Sequence, residues 1–341
     1  MTPTAPTATS TVAPTGDAAA ARNPVLAWLA GSVQQLLAAA SLIAILAFFS
    51  FASPYFFTPS NLIGILMAAT VTGILALGTT FVIVSGGIDL SIGTGMTLCG
   101  VMAGVFLTYW GWPLWAGVLG AVLFGGLIGF LNGLSVSVLG LPPFIATLGM
   151  MLIASGLALV ISGTEPIYFK SQPNFQLLMN QSVIPGQRFP LGVVIFLVLI
   201  VVSAVVLAKT ILGRYAFSIG SNEEATALSG VNVTRWKIII YTVSGLFVGV
   251  AGVLAASRLS SAQPVGGLGL ELEAIAAVVI GGTSLQGGRG SIAGTVVGSL
   301  IVAVLTNGLR VTEVPQEWQS VAVGCVIIAA VYVDMLRRRR A

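Results

Sequence analysis

Between Arg22 and Glu165 this chain carries one charged residue, Asp89. Farther along, the pairs Arg188–Lys209, Lys237–Arg258 and Arg289–Arg310 each enclose 20 uncharged residues. A helix needs about 20 apolar residues to cross the hydrocarbon core of a bilayer. A charge at its centre costs about 2.5–3.5 kcal/mol on insertion scales. The charges therefore stand where helices leave the membrane. With 7% charged and 56% hydrophobic residues, a chain of this length has too little polar surface for a soluble fold, where about 25% charge is usual.

This pattern predicts an all-α polytopic membrane protein with about ten transmembrane helices, interrupted by Gly-rich broken or re-entrant segments. The expected spans are 34–53, 62–84, 92–110, 113–137, 143–163, 190–208, 237–257, 271–286, 291–309 and 318–336. Many of the 42 glycines fall inside apolar runs. In lipid, small residues let helix backbones approach closely. Residues 1–33 read as a disordered N-terminal tail, 34–336 as the membrane domain and 337–341 as a basic C-terminus. Basic residues favour the cytoplasmic side. Arg337–Arg340, and Lys209, Arg214, Arg235 and Lys237 in the 209–236 loop, place both termini and that loop in the cytoplasm. The net charge of +4 is accounted for by orientation, and no nucleic-acid partner is expected.

Several chemistries are excluded. The chain has no His, hence no imidazole metal site, no Ser-His-Asp triad and no His relay. Cys99 and Cys325 lie in apolar runs and read as small packing residues. A phosphate-binding loop needs Gly-Lys-Ser/Thr, and none of Lys170, Lys209 and Lys237 follows a glycine. No cofactor is expected, and any ATP use belongs to another polypeptide.

Four segments stand out. In Gly220-Ser221-Asn222-Glu223-Glu224-Ala225, Ser221 and Glu224 have the spacing of a capping box, and Gly230 suits a helix stop. This is a short capped helix on the cytoplasmic side. It is either an ordinary loop helix or a docking element for a partner. In Ser85-Gly86-Gly87-Ile88-Asp89-Leu90-Ser91, Asp89 is an intramembrane acid and a functional candidate by default. The plain alternative is that Asp89 or Ser91 caps the next span. In Gly140-Leu141-Pro142-Pro143-Phe144-Ile145-Ala146-Thr147, Pro143 fits the first turn of a helix, and a broken helix carrying Pro143 and Thr147 along a pathway is the other option. From Gln263 through Glu271, Glu273, Gly281 and Gly282, glycine density marks irregular backbone, tolerated at membrane depth only beside protein or water. Asn132-Gly133-Leu134 and Asn307-Gly308-Leu309 also echo one another, which makes Asn132 a further candidate.

Taken in order, Gly86–Ser91, Pro142–Gly149, Gly220–Ala225, Ala276–Ser284 and Gly287–Gly290 resemble the ribose-type permease family of ABC importers, over about residues 36–336. The resemblance implies a non-catalytic permease subunit in a bacterial inner membrane. It implies a second permease copy, surrounding lipid, cytoplasmic ATP-binding subunits and a periplasmic sugar-binding protein. It matches the 220–230 helix to the family's coupling helix and implies a monosaccharide cargo: a pentose, hexose or related polyol. The 164–189 loop and the 310–317 turn would face the binding protein. A self-contained ion-coupled transporter is the rival reading, and it would need Asp89. An intramembrane enzyme lacks a His and a paired carboxylate to work with.

Overall fold

The computed structural model describes residues 24–170, 172–183 and 189–338. The chain divides into two units, Met1–Val33 and Gln34–Ala341. Arg188, used above to bound a span, and Arg339–Arg340, used for orientation, lie outside the described residues, as does most of the expected tail.

The helices are α1 (Pro24–Ala52), α2 (Pro59–Val84), α3 (Ile92–Gly104, extended by a π-helical turn Val105–Tyr109), α4 (Leu114–Ser137), α5 (Pro143–Ser162), α6 (Leu177–Asn180), α7 (Leu191–Lys209), α8 (Ile211–Ser221), α9 (Glu223–Leu228), α10 (Val233–Leu259), α11 (Leu270–Ile280), α12 (Ile292–Val311) and α13 (Gln316–Arg338). Residues 24–33, assigned above to the tail, are helical.

Among the described residues, seven helices are long and apolar enough to cross a membrane: α2, α3 with its π turn, α4, α5, α7, α10 and α12. The expected count of about ten is not reached on this measure. The apolar part of α1 is Leu37–Ala52, which is shorter. The expected span 271–286 is corrected outright, because α11 has 11 residues. At 1.5 Å per residue it covers about half of a hydrocarbon core. Its helix stops at Gly281-Gly282, where Gly282 takes φ +97° and Thr283 N–H returns to Val278 O. Gly86, with φ +81°, ends α2 by the same double hydrogen bond, from Gly86 to Ile83 and from Gly87 to Val82. This is the glycine stop that satisfies the last helical carbonyls.

α10 is the central helix, packed along α4 and against α2 and α3. Glycines set the closeness. A Cβ on Gly125, Gly129, Gly245 or Gly249 would overlap backbone of the facing helix. Dispersion between close backbones replaces a hydrophobic drive that lipid cannot supply. A smaller cluster joins Phe49 and Phe56 to Ile65, Ala69, Ala303 and Val304, tying α1 to α2 and α12. Cys99 is buried as expected, whereas Cys325 is exposed and is not a packing residue within this chain. Tyr109, Trp110, Trp112 and Trp115 form an exposed aromatic group at the α3–α4 turn, the placement expected of interfacial aromatics.

Candidate functional site

One end of the bundle gathers the ends of α2, α4 and α11, the start of α5, and the pair α8–α9. Here the sequence expectation needs correcting. α8 runs through Ser221, so this residue is helical and is not the cap of α9. The extended residue between the two helices is Asn222, with φ −160°. Its Oδ1 accepts from Ala225 N–H at 2.9 Å. The Ser221–Glu224 capping box is therefore replaced by an Asn222 cap. Glu223 and Glu224 occupy the first turn of α9, where the helix dipole favours acids, and both are exposed. Lys237 Nζ donates to both oxygens of Glu223 at 2.7 Å, tying α9 to the start of α10. Gly230 follows the C-cap with φ +81°.

Gly220 holds this helix pair against the bundle. A Cβ on Gly220 would overlap Val84 O and crowd Gly288 N. Gly288 N–H donates to Val84 O at 2.9 Å. A Cβ on Gly287 would stand 2.8 Å from both Gly220 Cα and Gly86 N. The stop of α2 and the Gly287-Gly288 turn between α11 and α12 thus meet on one residue of α8. A cavity of about 270 Å³ opens beside this junction, bordered by Gly86, Gly220, Asn222, Glu223, Lys237 and Tyr241.

Asp89 lies just inside the junction and is 2% exposed. Its Oδ1 accepts from Ser91 N–H at 2.9 Å and Ser91 Oγ at 2.6 Å. Asn132 Nδ2, from α4, donates to both Asp89 oxygens at 3.3 Å and to Ser91 Oγ at 2.8 Å. Ser91 takes the N-cap position of α3, but its hydroxyl serves Asp89 and not the helix. Asp89 is thus satisfied by neutral donors, as a buried carboxylate must be. Ile88 O beside it accepts from Thr147 Oγ1 at 3.3 Å and Tyr241 OH at 3.4 Å. Pro143 opens α5, and its carbonyl accepts from Thr147 Oγ1 at 2.8 Å. Asp89, Asn132, Pro143 and Thr147 form one structural knot.

At the opposite end, β1 (Ile167–Tyr168) pairs antiparallel with β2 (Ser261–Ala262). Chain 263–269 then runs back into the bundle. Gly267 packs on Gly93, the second residue of α3, so closely that a Cβ on either would overlap the other's carbonyl. Glu271 is 5% exposed. Its Oε1 accepts from Gly269 N–H at 2.9 Å, and its Oε2 lies against Gly93 without a hydrogen-bond partner. This is the irregular backbone at depth that the glycine density announced. α11, Gly281 and Gly282 follow from it. Glu273, one turn into α11, points elsewhere: it borders a cavity of about 630 Å³ with Arg258, Arg310, Gln316, Gln319 and Thr306.

Residues 61–331 match the model of the family described as branched-chain amino acid transport system / permease component. The chain belongs to this family. The ribose import permease protein RbsC of Escherichia coli (strain K12) is 41% identical over 294 residues, covering 86% of this chain and 91% of that relative. RbsC of Bacillus subtilis (strain 168) is 39% identical, with 84% and 88% covered. The xylose transport system permease protein XylH of Escherichia coli (strain K12) is 32% identical, with 91% and 93% covered. No solved structure matches.

The permease is a multi-pass inner-membrane protein and a non-catalytic transport component. Its family match covers the glycine junction, the Asp89 knot and the re-entrant segment. Sequence reasoning found α9, Asp89 and the broken helices. It did not pick out Arg258, Arg310, Gln316 and Gln319 as neighbours of Glu273. The position of Arg258 and Arg310 at span ends was the available signal, and it served there only to bound the spans.

Proposed function

We propose that this permease is the membrane subunit of an ATP-driven monosaccharide importer. It works as a homodimer with two cytoplasmic ATP-binding subunits, and a periplasmic binding protein delivers the sugar. The carrying observation is the tie between α9 and the bundle: Gly220 seats α8 on the stop of α2 and on the Gly287-Gly288 turn between α11 and α12. A rigid, capped helix so anchored passes a partner's motion into both at once. Gly220, Ser221, Asn222, Glu223, Glu224, Ala225 and Gly230 make up the docking element, with Glu223 and Glu224 as its exposed face.

In this reading α8–α9 and both termini face the cytoplasm, and α1, α11 and α13 complete a ten-segment domain in which α11 is a half-span. The 164–189 segment and the 310–317 turn face the binding protein. The cargo class rests on relatives named for ribose, xylose and fructose, which align over most of both chains. The family description mentions amino acids, but these full-length relatives carry the sugar assignment. Asp89 lies buried among Ser91 and Asn132, so it is a poor ion-coupling group.

Purification from detergent tests the reading. An ATP-binding subunit co-purifies at about 1:1, as expected for one partner per permease copy. Glu223→Arg combined with Glu224→Arg removes it and stops uptake while the protein remains inserted. Normal uptake by the double variant would refute the docking assignment.

A further inference from the structure

The 630 Å³ cavity lies within the range of about 300–1,000 Å³ found for small-molecule clefts. It is bordered by the C-terminal part of α10 and of α12, the first turns of α11 and α13, and the apolar flank of α2 and α3 at Ala68, Val71 and Met96. Arg258, Arg310 and Glu273 share it, and no ion pair joins them; the ion pair formed among the described residues is Glu223–Lys237. Gln316, Gln319 and Thr306 add neutral donors and acceptors. Among the described residues no aromatic ring borders the space.

This chemistry suits a hydroxyl-rich ligand. A guanidinium is a planar fork of donors and a carboxylate is a pure acceptor, so together they serve both roles of adjacent hydroxyls. Without an aromatic face there is no stacking to hold the ligand long, which suits passage over storage. Two guanidiniums against one carboxylate leave the lining positively biased, while a second carboxylate, Glu271, is buried two residues from Glu273 on the side of Gly93. Low-dielectric walls preserve such a field.

We propose that this cavity is the cargo vestibule, in which Arg258, Glu273 and Arg310 contact the hydroxyls of an uncharged sugar and whose excess positive charge turns away protonated amino sugars. The proposal rests on the importer reading, and adds a charge filter belonging to the permease itself.

Thiol labelling tests it in the purified complex with its ATP-binding subunit. Thr306→Cys in a Cys325→Ser background supplies one accessible reporter on the wall. Anionic and cationic methanethiosulfonates are compared, each rate normalised to its rate with free cysteine. The anionic reagent is expected to react faster by on the order of tenfold. Arg310→Glu reverses the preference, and Arg258→Gln moves it toward parity. At least one of D-ribose, D-xylose and D-fructose slows both reagents, while D-glucosamine below its amine pKa slows neither. Equal normalised rates, a preference unmoved by both arginine variants, or protection by glucosamine equal to that by the neutral sugars would each overturn the filter. Failure of the importer reading shows separately, as a permease that purifies without an ATP-binding subunit.

Discussion

The two ends of the bundle are built differently. At the end carrying α8–α9, contact is backbone on backbone: Gly220 and Gly287 leave no room for a Cβ between α8, the stop of α2 and the turn that follows α11. At the other end, side chains make the joints. Ser257 Oγ accepts from Met179 N–H at 3.0 Å and donates to Phe175 O at 2.8 Å, pinning the 173–183 segment to α10. Phe169 and Phe175 pack with ring centres 4.0 Å apart and planes tilted by 33°. β1–β2 adds only a two-residue ladder, and a polar cavity opens nearby. A backbone joint is stiff, because no rotamer can relax it. A side-chain joint can open locally. The permease therefore has a rigid end suited to receiving force and a looser end suited to admitting cargo.

Substitutions at four positions, with a control at a fifth, sharpen or break this contrast, taken from the largest effect to the smallest. Gly220→Val forces a branched side chain into Val84 O and Gly288 N. It is expected to cost about 3 kcal/mol and to abolish uptake, read by melting in detergent and by transport. Gly156→Ala, with open space around the site, is the control and stays within about 1 kcal/mol. A Gly220→Val protein with the stability of that control would break the contrast. Asp89→Ala leaves Ser91 N–H and Ser91 Oγ without their acceptor, while Asn132 Nδ2 keeps Ser91 Oγ, at about 2–3 kcal/mol. Asp89→Asn keeps one acceptor and loses less. Equal losses would mean that the knot depends on charge.

Ser257→Ala takes the hydroxyl acceptor from Met179 N–H and one donor from Phe175 O, which keeps Leu177 N–H, at about 1–2 kcal/mol. Amide exchange should rise in 173–183 and stay unchanged in α2 and α10. Exchange rising across the whole bundle would show that this end is as stiff as the other. Lys237→Ala removes a partly exposed pair with Glu223, worth under about 1 kcal/mol. Its melting temperature is expected to stay near that of the parent, since Asn222 still caps α9.

Some of this was readable in the sequence. The empty charge intervals located the spans, and glycine density located the break after Val84 and flagged the region of the second, although the expected span 271–286 ran past Ile280. The short helix was legible, but its cap was misplaced by one residue. Ser221 and Asn222 are both good capping residues, and the choice depends on how far α8 continues. The span at 271–286 failed for a related reason. An apolar run measures hydrophobicity and not length, and the chain before α11 had already entered the bundle.

The sequence by itself determined the solvent and the class: so few charges, so spaced, allow only membrane-spanning helices. It also fixed the absence of a phosphate loop and of imidazole chemistry. Tertiary structure alone decided which distant residues meet. Gly220 touches Val84 and Gly288, Asp89 meets Asn132, and Glu273 shares a cavity with Arg258 and Arg310. The physical reason is range. Hydropathy and capping are set by neighbours within a helix turn or span, whereas these meetings depend on the packing of helices far apart in the chain.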